Sequence, residues 1–175
     1  MLTPLGDAAA TLAALAAGIA VPRVLDLPLR EQLARVVAPC RAAGPCDLVL
    51  FATTKGDADA WADALVRGDE PVGGPAQIAL ELSREMGLPA YAVSTACASG
   101  PAALAEAGRR VATGAARRVL VVAADHGGRF VADGFAALKA VDADRCRPFD
   151  AARGGLSLGE GAAAMVVEAG EDAVQ

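Results

Sequence analysis

The run Leu48-Val-Leu-Phe51 constrains the fold most, because it is continuously apolar. A strand with one wet face alternates apolar and polar residues. An unbroken run reads instead as a strand covered on both faces. Further strands are predicted around it, giving Leu48–Thr53, Ala90–Ser94, Val119–Ala123 and Ala162–Val167. Apolar periodicity with flanking Gly and Pro predicts helices at Asp7–Gly18, Leu29–Val37, Asp57–Arg67, Pro75–Met86 and Pro101–Thr113. Strands alternating with helices predict a layered α/β domain. At 175 residues the chain suits one domain, residues 1–175, able to bury a real core. Hydrophobic residues make up 54% but aromatics only 3%, so that core is a tightly packed Ala/Val/Leu interior.

Several function classes are excluded at this stage. The net charge of −5 and the lack of a Lys/Arg stripe with interleaved aromatics argue against nucleic-acid binding. The segment Ala8 to Val21 is uncharged and apolar, but too short to span a membrane, and no basic stretch precedes it. Its Leu12, Leu15 and Ile19 fit a helix with one buried face. Cys40, Cys46, Cys97 and Cys146 form no C-x-x-C pair, and His126 is the only histidine, so no zinc or other metal site is expected. With no secretory signal, reduced cytoplasmic thiols are expected.

Tyr91-Ala-Val-Ser-Thr-Ala-Cys97-Ala-Ser-Gly-Pro101 carries the chemistry. A short strand leads into a thiol, then small residues and a proline that suits the first turn of a helix. Cys97 thus sits at a helix mouth, where free N–H groups and the dipole favour a thiolate. A lone cysteine among alanines is also consistent with a small buried hydrophobe. The small neighbours Ala96, Ala98, Ser99 and Gly100 favour the nucleophile, since they let a ligand reach the sulfur. The strand, sharp turn and helix match a nucleophile elbow with sulfur in place of oxygen.

Thr95-Ala-Cys97-Ala-Ser-Gly100 resembles the active-site signature of β-ketoacyl-[acyl-carrier-protein] synthases, condensing enzymes of fatty acid and polyketide synthesis. Arg118-Val-Leu-Val-Val-Ala-Ala-Asp125 resembles that family's next strand, and Gly134-Phe-Ala-Ala-Leu-Lys139 its acyl-pocket segment. Cys146-Arg-Pro-Phe-Asp150 and Leu158-Gly-Glu-Gly-Ala162 resemble the motifs closing its N-terminal half, and Thr3-Pro-Leu-Gly6 and Ala52-Thr-Thr-Lys-Gly56 also fit. The resemblance implies a thiolase-like half, with a mixed, mostly parallel sheet covered by helices. By the same resemblance, a first strand and a C-terminal half bearing two catalytic histidines are missing.

The resemblance implies that Cys97 takes an acyl group from acyl carrier protein. Decarboxylative Claisen condensation with malonyl-carrier thioester then follows, with no cofactor. It implies an acyl pocket at Phe135 and Leu156, and carrier-protein contact at Lys139 and Arg147, beside Arg145. It also implies a homodimer, or a partner chain supplying the absent half. Phe135 fits a core aromatic on a short helix equally well, and the three cations fit a solvated loop. Leu156 replaces a phenylalanine common in relatives. Gly154-Gly-Leu-Ser-Leu-Gly-Glu-Gly161 lacks a P-loop ending and reads as glycines for tight turns, with Glu160 as buried support for the site. The alternative is a non-catalytic partner subunit resembling a chain-length factor, although such subunits lack the cysteine. A cysteine hydrolase would need a histidine base, for which His126 is a poor candidate. A thiolase relative is disfavoured by the motif wording alone.

Overall fold

A computed structural model describes residues 7–17, 27–142 and 146–170. Its elements run α1 (Ala8–Ala16), α2 (Leu29–Ala42), β1 (Leu48–Ala52), α3 (Ala58–Arg67), α4 (Pro75–Met86), β2 (Ala90–Val93), α5 (Ser99–Ala112), β3 (Arg118–Asp125), α6 (Arg129–Ala137) and β4 (Gly161–Glu168). The strands form one sheet in the order β2-β1-β3-β4. β1 is parallel to β2 and to β3, while β4 runs antiparallel to β3, pairing Asp125 with Gly161 and Arg118 with Glu168. This is the layered α/β arrangement that the alternation predicts, with the mixed, mostly parallel sheet that the family resemblance implies.

β1 lies between two paired neighbours and all five of its residues are buried. Period-2 alternation divides the strands between two apolar layers. Val49, Phe51, Leu120 and Val122 meet Leu33, Val36 and Val37 of α2 and Ile78 and Leu82 of α4. Leu48, Leu50, Val119 and Val121 meet Ala103 and Ala107 of α5 on the other face. Alanines at the α5 contact let that helix lie close to the sheet, which is how an aromatic-poor chain fills its core.

Local signals set the helix ends. The Asp57 side chain accepts from Ala60 N–H at 3.0 Å to start α3. Pro75 opens α4, and Gly87 at φ +67° closes it. α2 runs past its predicted end through Pro39. Cys40 beyond the proline packs against the core, and that packing outweighs the lost backbone donor. α6 is not among the helices predicted, and it buries none of its residues. α6 is held from a distance, because both Asp59 carboxylate oxygens accept from Arg129 and Phe130 N–H at 2.8 Å. α1 departs from its expected buried face. Leu12 is exposed, since α1 packs on no other described element. Ile19, the Leu15 side chain and Thr3–Gly6 lie outside what is described. Among the described residues no helix is long and apolar enough to cross a membrane.

The Asp59 clamp gives a pH prediction. Burial pushes its carboxyl up, but the amides of Phe130 and Arg129 and the Arg129 charge outweigh that, holding it below its ordinary 3.8. A depressed folded pKa stabilises the fold above the unfolded value, and the effect is lost as pH falls through the folded one. Asp59→Asn should therefore lower the melting temperature at pH 7. The gap from the parent should shrink as melts are taken below about pH 4, near the ordinary carboxylate range. A pH-independent gap would refute the linkage.

Candidate active site

β2 ends at Val93 and α5 begins at Ser99, leaving five residues to turn the chain from strand to helix. Ala96 makes the turn at φ +51°, a left-handed conformation costing a non-glycine residue about 1 kcal/mol. Its small side chain keeps that cost low. The strain sits immediately before Cys97, which is exposed two residues ahead of α5.

Ser99 braces the turn. It is buried, accepts from Thr95 N–H at 2.9 Å, and directs its hydroxyl toward Ala96 O at 2.6 Å and Thr53 O at 3.0 Å. The Ser94 hydroxyl donates to Thr54 O at 3.1 Å, tying the strand end to the same neighbour. Both anchors lie just past β1, so the buried central strand positions the thiol.

A cavity of about 340 Å³ opens beside the sulfur. Its wall comes from Ala52 of β1, Ala96, Cys97 and Ser99–Pro101 of the elbow, Ala123–Asp125 of β3 and Gly161–Ala163 of β4. β1 and β3 contribute their carboxyl ends, where ligands of open α/β sheets usually bind, and antiparallel β4 its amino end. Small residues dominate the wall, and each missing side chain is space for a ligand.

Asp125 supplies the carboxylate in that wall. Its Oδ1 accepts from Thr53 Oγ1 at 3.0 Å, Thr54 N–H at 2.9 Å and Thr54 Oγ1 at 2.6 Å, with Lys55 Nζ at 3.7 Å. The cluster stitches the end of β1 to the end of β3. Sequence reasoning put no role on Asp125, Ser99 or the Ala96 strain. An acid ending an apolar strand was the available signal for Asp125.

The other predicted residues lie around this centre. The Glu160 side chain is 3% exposed, next to cavity residue Gly161. Its Oε1 accepts from Gly127 N–H at 3.2 Å and lies 3.3 Å from His126 Nδ1. That geometry suits a buried support and gives His126 a carboxylate neighbour. Phe135, on α6, and Leu156 are partly buried and are not part of the cavity wall. Leu156 accepts from Asp142 N–H at 3.0 Å and donates to Ala140 O at 2.9 Å. Gly155 makes this possible, since a Cβ there would stand 2.6 Å from Asp142 N and 2.7 Å from Ala140 O. Lys139 is exposed at φ +53°. Arg147 folds inward instead, donating to Ala152 O at 2.8 Å with Asp142 at 3.7 Å, so the expected pair does not form one outward patch. Arg145 lies outside the described residues.

The family "Beta-ketoacyl synthase, N-terminal domain" matches residues 42–173. The chain belongs to this family. Nodulation protein E of a Rhizobium sp. is 37% identical over 108 residues, covering 60% of this chain and 27% of that protein. Nodulation protein E of Rhizobium leguminosarum bv. trifolii is 38% identical over 106 residues, covering 59% and 26%. The matched stretch is thus about a quarter of each relative's length.

Solved structures give the same fold. A β-ketoacyl synthase from Burkholderia phymatum superposes with TM-score 0.70 at 22% identity, over 97% of this chain and 57% of that one. The ishigamide ketosynthase/chain length factor superposes with TM-score 0.60 at 26% identity, over 71% and 35%. A ketosynthase in complex with its chain length factor, from Xenorhabdus doucetiae, does so with TM-score 0.61 at 21% identity, over 82% and 39%.

Proposed function

We propose that this chain is the nucleophile-bearing half of a β-ketoacyl-[acyl-carrier-protein] synthase. The observation that carries the reading is the exposed Cys97 on a strained, Ser99-braced elbow beside the cavity. In the proposed cycle the Cys97 sulfur attacks the carbonyl carbon of an acyl-carrier thioester. The new S–C bond forms, the carrier thiol leaves, and the acyl group stays on the enzyme. The Cys97 backbone N–H is proposed as one oxyanion donor. A malonyl-carrier thioester then loses carbon dioxide. Its carbanion attacks the acyl carbon, releasing Cys97 and a β-ketoacyl thioester two carbons longer. Phe135 and Leu156 are proposed to shape the acyl path, and Lys139 to meet the acidic carrier, with Arg147 turning outward to join it. The reading carries a reduced, cytoplasmic setting, in keeping with four unbridged cysteines.

Condensation calls for two histidines in the family pattern. Here the only histidine is His126, held beside Glu160, so a C-terminal half is proposed to supply them. A second reading is a non-catalytic partner resembling a chain length factor, favoured by the neighbours whose structures include one. One experiment separates the two. The chain is incubated with an acyl-carrier thioester, analysed by intact mass, then mapped after iodoacetamide treatment. The expected result is a single acyl adduct on Cys97 and none in Cys97→Ser. Alkylation of Cys97 without acyl donor should outpace that of Cys40, Cys46 and Cys146 by about tenfold. No adduct would favour the partner-subunit reading. Turnover to a β-ketoacyl product by the chain alone would overturn the need for a second half.

Association is the other half of the proposal. β2 is an edge strand with Tyr91 and Ala92 exposed, suited to pairing with its own copy across a two-fold axis. Light scattering at micromolar concentration should report a dimer or larger species. A stable monomer would sink the claim.

A further inference from the structure

A second cavity lies at the opposite end of the sheet from Cys97. It encloses about 190 Å³ and is walled in part by Cys40, Cys46, Met86, Leu88 and Leu120. Its sulfur atoms come from three separate elements. Cys40 is in the last turn of α2, Met86 is the final residue of α4, and Cys46 lies two residues before β1. Cys46 belongs to the core, and Cys40 and Met86 pack against it. The sheet holds this arrangement in place, because Asp47 N–H donates to Arg118 O at 2.9 Å immediately after Cys46.

We propose that this cavity binds one soft monovalent metal cation, of the copper(I) or silver(I) kind, between the Cys40 and Cys46 sulfurs with the Met86 thioether as third donor. The donor chemistry carries the choice. No carboxylate or imidazole is in the cavity wall; thiolate and thioether donors disfavour magnesium and calcium, and three sulfurs fall short of the four ligands that a structural zinc takes. Met86 is the remaining sulfur in the wall, so it is assigned as the third donor. Cys46 and Leu120 back the cavity from the core, while Arg41 and Pro45 form its exposed rim.

Binding balances simply. Two S–H protons leave, two metal–thiolate bonds and one metal–thioether bond form, and the metal keeps its oxidation state. The resulting anionic centre sits near Arg118, whose charge favours the Cys46 thiolate, and beside Arg41 in the cavity wall. Both arginines also serve carboxylates, Arg118 at Glu168 (3.0 Å) and Arg41 at Glu85 (3.5 Å), so they offset the added charge only in part.

The test uses the full chain carrying Cys97→Ser and Cys146→Ser, which removes the exposed thiols. It is titrated with copper(I) under anaerobic conditions against a chromogenic copper(I) chelator. The expected result is one equivalent withheld from the chelator, with a sulfur-only shell of three by X-ray absorption. Adding Cys40→Ser should weaken binding by more than about 100-fold, beyond the loss usual for groups merely supporting a ligand. Met86→Leu, which preserves volume, should weaken it about tenfold. Cys40 is only partly buried, so its variant decides the matter even if Cys46→Ala fails to fold. Failure to withhold copper, nitrogen or oxygen in the shell, or unchanged affinity in Cys40→Ser would overturn the site. Unchanged affinity in Met86→Leu would overturn the third donor.

Discussion

Replacing Ser99 with alanine should destabilise the fold by about 3 kcal/mol and slow acyl transfer to Cys97 by about tenfold or more. The hydroxyl is buried and is the partner of three backbone groups, Thr95 N–H, Ala96 O and Thr53 O. Without it the Thr95 donor has lost its acceptor, and Ala96 loses a contact that holds φ at +51°. Each of the three bonds contributes about 1 kcal/mol, and the strained residue is then free to relax. Urea denaturation measures the first effect. The second is read with two reagents. Iodoacetamide needs only an exposed sulfur and should react much as before, whereas an acyl thioester needs the sulfur in line with its carbonyl. Equal losses with both reagents would show that the substitution simply buries or unfolds the thiol.

Gly56→Ala should be at least as damaging, at more than about 3 kcal/mol, or a fall of roughly 10 °C in melting temperature. Gly56 follows the Thr53–Lys55 cluster at φ +70°. A Cβ there would collide with Gly73 O and stand 3.2 Å from Gly74 C and Ile78 Cδ1. The carbonyl has little freedom to retreat, because it accepts Asp57 N–H at 2.9 Å. Gly68→Ala is the control. Its φ of +76° is similar, but nothing lies within 4 Å of the added carbon, so only the backbone cost of about 1 kcal/mol applies. Equal destabilisation in the two variants would mean that the clash at Gly56 is relieved by movement.

The layered sheet was legible because β1 is buried on both faces and its four-residue apolar core advertises it. α4 was legible to the residue because Pro75 and Gly87 mark its ends. α6 was not anticipated, since the helix is short and buries no residue, and its anchor Asp59 is far away in sequence. Pro39 misled for the opposite reason: a local stop signal was overridden by tertiary packing. At the site, the motif around Cys97 revealed the elbow, and the small residues foretold access. The Asp125 cluster was hidden because its partners Thr53 and Thr54 become neighbours only through β1–β3 pairing. The inward turn of Arg147 was hidden likewise, since its partners Asp142 and Ala152 are brought together by loop geometry rather than by pattern.

The cavity wall draws on Ala52, the Cys97 elbow, Asp125 and Gly161–Ala163, which meet only when every strand has paired. No contiguous stretch of this chain, however native its local turn, encloses the space beside the sulfur. Assembly of that space is therefore a late event in folding, because loop closure over long separations precedes it. During refolding, the sulfur should become competent for thioester exchange on the timescale of β4 docking, later than the earliest helix signal. The nucleophile thus doubles as a clock for completion of the sheet.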